Sequence, residues 1–571
     1  MTWNQFTTTI KEWPQKLLTS TRWLEKKQTS ILSAAVIITI ANMVASLTGL
    51  LREKLLISKF FGDILSEQAY EAFLIAFQVP DFIYQIVILG AMSAAFIPIF
   101  TAIRNQKGDK AAFSMTSSLM NWLLLTFIII CAIIFIFAPQ ITTARTGKNF
   151  TPEQVAIVIN LTRIMVFAQF FFAVSNFFSG MLQSYKRFII PAFSPIFYNA
   201  GIVIFTYLLY PQLGVYAAGV GVLIGAFLHM IIQYPSLRRA GWRYSWNWNI
   251  NTPGVKKILK LTPPRILTMG ANELQTLGLG FFATQIGGLS FVIIKLAKSL
   301  IALPIRFFGV PIAQAALPFL SDESDTNSRY QFSQIISRSL SQIAFFAIPA
   351  AVLILILRIP IVRLIYGARN LPWSTTVTLG RVVAIISLSI AAQAIYQLLA
   401  RGFFALKDTR TPFIISLITT LLFFIGCAIV TALHLEDQAV YGIAIIICFI
   451  GFLEAILYLL FLSRRVPSLI NKTLISSLCK ITFAGTIMAI ALYIPYKALD
   501  QFIFDTTRVI PLIGLTGVTS IIGITVFLFL AWIMKISELG IVKNLIKHFN
   551  RSTIKDSKTT EPLVIAGDDD G

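Results

Sequence analysis

The chain has 571 residues, 56% of them hydrophobic and only 13% charged, with 47 Lys and Arg against 25 Asp and Glu. A mean hydropathy of +0.77 excludes an ordinary soluble domain. The formal net charge of +22 does not mark a nucleic-acid-binding surface, because the basic residues lie mostly in loops between apolar stretches rather than on one polar face.

Residues 1–30 form a basic arm with Lys11, Lys16, Arg22, Lys26 and Lys27. It has no early apolar run and no small-residue cleavage site, so a cleavable signal is not expected. Trp3, Phe6, Ile10, Trp13 and Leu17 recur at three- to four-residue spacing, interrupted by Pro14. An interfacial helix and a flexible arm both fit that pattern.

Fourteen apolar stretches follow, at about 31–51, 69–101, 113–138, 156–181, 190–209, 214–235, 259–285, 289–319, 331–357, 374–400, 411–433, 438–462, 473–496 and 509–534. Each is long enough to cross a hydrocarbon core of about 30 Å. Backbone groups in lipid must bond internally, and short alternating strands are lacking, so the stretches read as helices.

The second and eighth stretches resemble each other. FQVPDFIYQIVILGAMSAAFIPIF (77–100) and ALPIRFFGVPIAQAALPFL (302–320) each have proline at both ends and a glycine about nine residues before the closing one. KRFIIPAF with Pro191 and KDTRTPFI with Pro412 then follow Pro98 and Pro318 at nearly equal intervals. The expected fold is an all-α polytopic membrane protein with two pseudo-symmetric six-helix lobes plus two C-terminal helices. Such duplications place a substrate path between the copies. The expected units are an arm (1–30), a first lobe (31–235), a linker (236–258), a second lobe (259–462), two added helices (473–534) and a tail (535–571).

Assigning loops alternately gives about 29 Lys and Arg on the side of the arm, linker and tail and about 10 on the other, which places both termini in the cytoplasm. Trp242, Trp246 and Trp248 suggest a linker resting at the bilayer interface. The end of the tail, 551–571, is polar and reads as disordered.

Cys131, Cys427, Cys448 and Cys479 sit in apolar stretches without a CxxC pair and read as small buried hydrophobes. His229, His434 and His548 neighbour no other ligand type, so neither a metal site nor a cofactor is expected. GVGVLIG (219–225) lies inside an apolar helix with no preceding strand and reads as close helix packing rather than a dinucleotide loop. No catalytic set is visible, and a transporter is expected rather than an enzyme.

Charges inside spans are costly in lipid and usually face a polar cavity or a partner. Arg52 closes the first stretch. Glu71 and Asp81 lie on the second, Arg163 on the fourth, and Arg265 follows Pro263-Pro264 on the seventh. Lys295, Lys298 and Arg306 fall within an arc of about 80° on an ideal helix. The expectation is that Arg52, Arg265 and Lys298 line one water-accessible cavity between stretches 1, 2, 7 and 8, with Lys295 nearby. Snorkelling to the interface or pairing with the acids competes with that reading, notably for Arg163 and Arg306, and Arg381 and Arg401 read as structural or interfacial. Glu71 is expected to pair with Arg52 or to act as a protonatable switch. Glu53, adjacent to Arg52, is expected to point about 100° away from it. Glu273 and Glu454 are isolated acids that fit either proton coupling or neutral burial.

SLTGLLREKLLISKFFG (46–62), AFLIAFQVPDF and GAMSAAFIPIF (72–100), ALPFLS (316–321) and ARGFFALKDTRTPF (400–413) resemble the MviN/MurJ family of lipid II flippases. The resemblance covers nearly the whole chain. It implies two lobes around a central cationic cavity. It also implies alternating-access movement of undecaprenyl-pyrophosphate-linked peptidoglycan precursor across the bacterial cytoplasmic membrane. Arg52 and Glu71 match family positions. Ser46, Tyr84 and Ser299 stand where the family usually carries arginines, and Lys298, one residue from Ser299, is a candidate substitute. The implied partners are a lipid-linked anionic substrate and membrane lipids, with no nucleic acid. Two other readings stay open: a flippase for another lipid-linked oligosaccharide or a multidrug exporter of the same superfamily, and a non-transporting scaffold that recruits cell-wall synthesis proteins.

Overall fold

The structure is a computed structural model that describes residues 31–89, 96–324, 329–367, 370–433, 438–504 and 508–540. The arm, the end of the tail and Gly90 lie outside the described residues.

The first lobe begins with α1 (Ile31–Phe60), α2 (Ile64–Ala76) and α3 (Gln78–Tyr84), followed by a π-helical segment (Gln85–Leu89). It continues through α4 (Phe96–Arg145), α5 (Pro152–Ser184), α6 (Ile189–Leu213), α7 (Tyr216–Ile231) and α8 (Tyr234–Arg239). The second lobe comprises α9 (Val255–Ile286), α10 (Ser290–Pro304), a π-helical segment (Ile305–Gly309), α11 (Val310–Ser324), α12 (Arg329–Ile356), α13 (Arg358–Tyr366), α14 (Trp373–Ser387), α15 (Ile390–Ala405), α16 (Arg410–Ala432) and α17 (Ala439–Arg465). Helices α18 (Lys472–Phe502) and α19 (Val509–Ile533) pack on α12.

Local sequence explains where the helices start. Thr151 and Gln154 form a reciprocal capping box at α5, with Pro152 in the first turn. Asp63 and Asn471 accept backbone N–H groups at the starts of α2 and α18. Within the stretch expected at 69–101, Ile64–Ile88 forms one candidate span with a turn at Phe77 and a widening to π-helix at Gln85–Leu89, and residues 90–95 lie outside the described residues. Gly108 at φ 82° kinks α4.

Ten helices among the described residues are long and apolar enough to cross a membrane, or eleven counting the bent pair α14 and α15, which meet at 46°. The chain is a multi-pass membrane protein. The further long segments α1, α9 and α10–α11 are helical and carry most of the charges singled out from the sequence.

The duplication is visible in backbone detail. The two π segments are 220 residues apart, the interval that separates Pro98 from Pro318 and Gly147 from Gly367. Lys186 (φ 59°) and Lys407 (φ 58°) each adopt a left-handed conformation five residues before Pro191 and Pro412. An L side chain there costs roughly 1–2 kcal/mol. The same strained turn therefore introduces the same helix in both halves.

Candidate functional site

The two lobes meet tightly at the face where α1, α4 and α9 end. Gly147 N–H donates to Thr284 Oγ1 at 3.0 Å, and Asn149 Nδ2 donates to the carbonyls of Gln285 (2.7 Å) and Ile286 (3.0 Å). Lys54 Nζ reaches Leu364 O at 3.0 Å. Gln78 bridges the seam by accepting from Arg145 Nη2 at 2.6 Å and donating to Thr276 O at 3.1 Å. Backbone approach is close enough that a Cβ on Gly147 would stand 2.4 Å from Gln285 Cα.

Beneath this seam lies a cavity of about 50 Å³, lined by Arg52, Glu53, Tyr198 and Lys295 with apolar residues such as Phe73 and Phe77. That volume has room for one or two waters, not for a sugar or a phosphate pair. Arg52 Nη2 is 2.7 Å from Glu53 Oε1, and Arg52 Nη1 donates to Asn199 Oδ1 at 3.0 Å. Tyr70 OH donates to Glu53 Oε2 at 2.9 Å. Asn199 is itself held by Nδ2 donating to Thr48 Oγ1 at 3.1 Å. Lys295 sits in the field of Glu53, Arg52 and Asp81.

This geometry corrects the sequence reading of Arg52. Its neighbour Glu53 is its ion-pair partner, because two flexible side chains bend toward each other across a 100° separation. Glu71 does not pair with Arg52. Its carboxylate, 3% exposed, accepts Phe291 N–H at 3.2 Å in the first turn of α10. An acid there satisfies an orphan amide and the helix dipole together.

Along α10, Phe291, Val292, Ile293, Ile294, Leu296, Ala297, Leu300 and Ile301 are buried. Lys295 and Ser299 are half-buried, and Lys298 and Arg306 are exposed. The polar strip expected from the sequence is thus the open strip of an otherwise enclosed helix. Lys298 does not line the small cavity. It faces Glu273 on α9 and Glu454 on α17. Glu454 also accepts from Thr419 Oγ1 at 3.0 Å. Arg306 Nη1 approaches Ser46 Oγ on α1 at 3.5 Å, and Tyr84 OH accepts from Asn176 Nδ2 at 3.0 Å. The side chain of Arg265 lies outside the described residues. Among those described, the structure joins Arg52 to Lys295 and Ser46 to Arg306.

Tyr70, Tyr198, Asn199 and Gln78 were missed in the sequence. A mid-span Asn within SPIFYNAG was the one available signal for Asn199. The KDTRTP segment has a structural role: Asp408 accepts from Arg410 N (3.0 Å) and Thr411 N (3.1 Å) and pairs with Arg465 at 2.8 Å. Burial pushes the Asp408 carboxyl up, but the bonds from Thr411, the charge of Arg465 and the Arg410 N–H outweigh it and hold the group below its ordinary value. Cys479 is exposed on α18, so it is not the buried hydrophobe expected.

A family profile described as lipid II flippase MurJ matches residues 57–514. The chain belongs to the MurJ family. Among its relatives, the lipid II flippase MurJ of Burkholderia cenocepacia is 25% identical over 378 residues, 65% of this chain and 72% of that one. The probable lipid II flippase MurJ of Bdellovibrio bacteriovorus is 22% identical over 91% of this chain and 98% of that one. Two solved structures share the fold. One is a lipid II flippase MurJ in an inward closed conformation, with TM-score 0.71 and 23% identity over 91% of this chain and all of that one. The other is an inward-facing multidrug resistance MATE family transporter, with TM-score 0.61 and 15% identity over 76% of this chain and 98% of that one. The MurJ match spans both lobes and includes Phe73, Phe77, Tyr198 and Lys295 of the cavity, while Arg52 and Glu53 lie just before its first residue.

Proposed function

We propose that this chain is a lipid II flippase that moves undecaprenyl-pyrophosphate-linked peptidoglycan precursor across the bacterial cytoplasmic membrane by alternating access. The observation that carries the reading is that Arg52 and Lys295, from the two lobes of a MurJ-family protein, line one small cavity, with Lys298 and Arg306 on the exposed side of the helical segment that carries Lys295. A pyrophosphate needs several convergent donors in a poorly screened site. Arg52, Lys295, Lys298 and Arg265 are the residues assigned to it. Ser46, Tyr84, Ser299 and Glu71 are assigned as supporting residues, Ser46 through its approach to Arg306 and Glu71 through the first turn of α10.

The 50 Å³ cavity is too small for the head group, so substrate entry requires the lobes to separate. Both termini and the 236–258 linker are assigned to the cytoplasm by the positive-inside asymmetry. That assignment puts the Gly147–Thr284 seam on the outer face. The closed state thus seals the exit, and the head group enters from the cytoplasmic leaflet along the open strip of α10. Breaking the seam and closing the opposite ends then exposes the cations outward. In the absence of substrate, Glu53 neutralises Arg52. A pyrophosphate entering the site competes with that carboxylate for the guanidinium, which favours release once the lobes rearrange.

Cell-wall synthesis proteins are the natural partners of such a transporter. Complementation tests the function: the chain should restore growth to a bacterium depleted of its own lipid II flippase. Normal expression in the membrane without restored growth would reject it.

A further inference from the structure

In the second lobe, α18 and α19 cover one face of α12. Gly485 on α18 lacks a Cβ where one would stand 2.6 Å from Ile348 Cγ2. Phe345 packs on Phe527 of α19 at 5.3 Å between ring centres. Stepping back 220 residues carries this face onto α4, where Leu125, Ile128, Ala132 and Ile136 replace Phe345, Ile348, Val352 and Ile356. Burial fixes the register: Phe127 and Ala347 are both 0% exposed, and Ile134 and Ile354 are both buried. On the covered face the lobes differ. Phe345 is 2% exposed but Leu125 is 38%, Ile128 48% and Ile136 64%.

Residues 127–136 of α4 and Val166, Phe167 and Phe170 of α5 enclose a groove of about 510 Å³ with a wholly apolar lining. It is roughly 14 Å long at 1.5 Å per residue. Arg163 stands at one end, one turn from Val166 and Phe167. Its guanidinium lies 5.3 Å from the Phe135 ring centre, and Nε donates to Phe135 O at 3.2 Å. Its terminal amino groups make no hydrogen bond among the described residues.

We propose that this groove is a binding site for one bilayer phospholipid, with an acyl chain along α4 and α5 and an anionic head group on Arg163. The lipid occupies the place that α18 and α19 take on the other lobe. An apolar groove left unfilled forfeits dispersion contacts along its whole lining, and a linear chain supplies them. Arg163 selects the head group, since a guanidinium presents a planar fork to phosphate oxygens. The site lies on the outer surface of the first lobe, away from the inter-lobe cavity, and does not depend on the transported substrate.

Native mass spectrometry of the full-length protein, delipidated in detergent and titrated with phosphatidylglycerol or phosphatidylcholine, tests the site. One phosphatidylglycerol should be retained about fivefold better than phosphatidylcholine, the ratio that roughly 1 kcal/mol for one interfacial arginine gives. Arg163→Gln should equalise the two lipids. Ala132→Trp, or Ile136→Trp if the first variant is unstable, should fill the groove and lose both. Equal retention of both lipids by the wild type would overturn the proposal, as would wild-type retention in the tryptophan variants. A lipid-free dimer dispersed by Ala132→Trp would assign the groove to a second copy and overturn it as well.

Discussion

The Glu71 carboxylate accepts the Phe291 amide hydrogen at 3.2 Å, and the two residues are 220 positions apart. They are therefore pseudo-symmetry mates that touch across the boundary between the lobes. A position in the first copy caps the helix that the same position in the second copy begins.

That contact should hold the seam closed. Glu71→Ala removes a capping acceptor, an effect of about 1 kcal/mol, and the lost bond spans two lobes. Spin-label distances between positions 148 and 285 should broaden toward longer values in this variant, and Glu71→Gln should show a smaller change. An unchanged distribution in Glu71→Ala would show that the bond does not restrain the lobes.

Gly147 is a sharper probe of the same seam. A side chain there meets the Gln285 backbone, which cannot move aside as a flexible tip could. Gly147→Val should leave membrane insertion intact, keep the lobes apart at this face and reduce transport at least tenfold. Near-normal transport with an unchanged 148–285 distance would contradict the close approach.

Arg52 and Glu53 must be tested together. Arg52→Ala leaves a buried carboxylate with Tyr70 and Lys295 but without its ion pair, and breaking a buried pair costs on the order of 3–5 kcal/mol. The single variant should therefore melt earlier and lose transport. Arg52→Ala with Glu53→Gln should recover most of the melting temperature but not the transport. Recovery of both would mean that Arg52 serves structure alone.

Asp408 supplies a pH-dependent element. Its carboxyl is held below the ordinary value in the folded chain, so its stabilisation is fully present above the unfolded pKa of about 3.9 and fades as pH falls through the lower folded value. Asp408→Asn should lower the melting temperature by about one degree at pH 7, consistent with about 1 kcal/mol for a partly exposed pair in a chain of this length. The gap between variant and wild type should shrink below about pH 4. A gap independent of pH would assign the motif's effect to the backbone bonds alone.

The sequence made the duplication legible because prolines and glycines mark backbone geometry directly, and the paired π segments fall where those marks recur. The strip of Lys295, Lys298 and Arg306 was legible because helical periodicity sets direction along a single element. Partners were not. Arg52 draws one from the adjacent residue, which a 100° rule sets aside, and another from Asn199 on α6. Glu71 is satisfied by a backbone amide, and a search for opposite charges cannot see one. Lys298 and Lys295 share an arc, yet a 60° difference and 4.5 Å of rise send one toward Glu454 and the other toward Arg52. The groove on the first lobe depends on what α18 and α19 leave uncovered, a property of tertiary packing alone.

The most direct measurement is transbilayer movement of fluorescent lipid II in vesicles reconstituted with the purified protein, read by head-group protection. Wild type should move lipid II, and Lys298→Ala and Lys295→Ala should each slow it by at least tenfold at equal incorporation. Movement at the wild-type rate in both variants, or no movement of lipid II by a wild-type protein that is folded and correctly inserted, would contradict the assignment of a flippase with its anion site between the lobes.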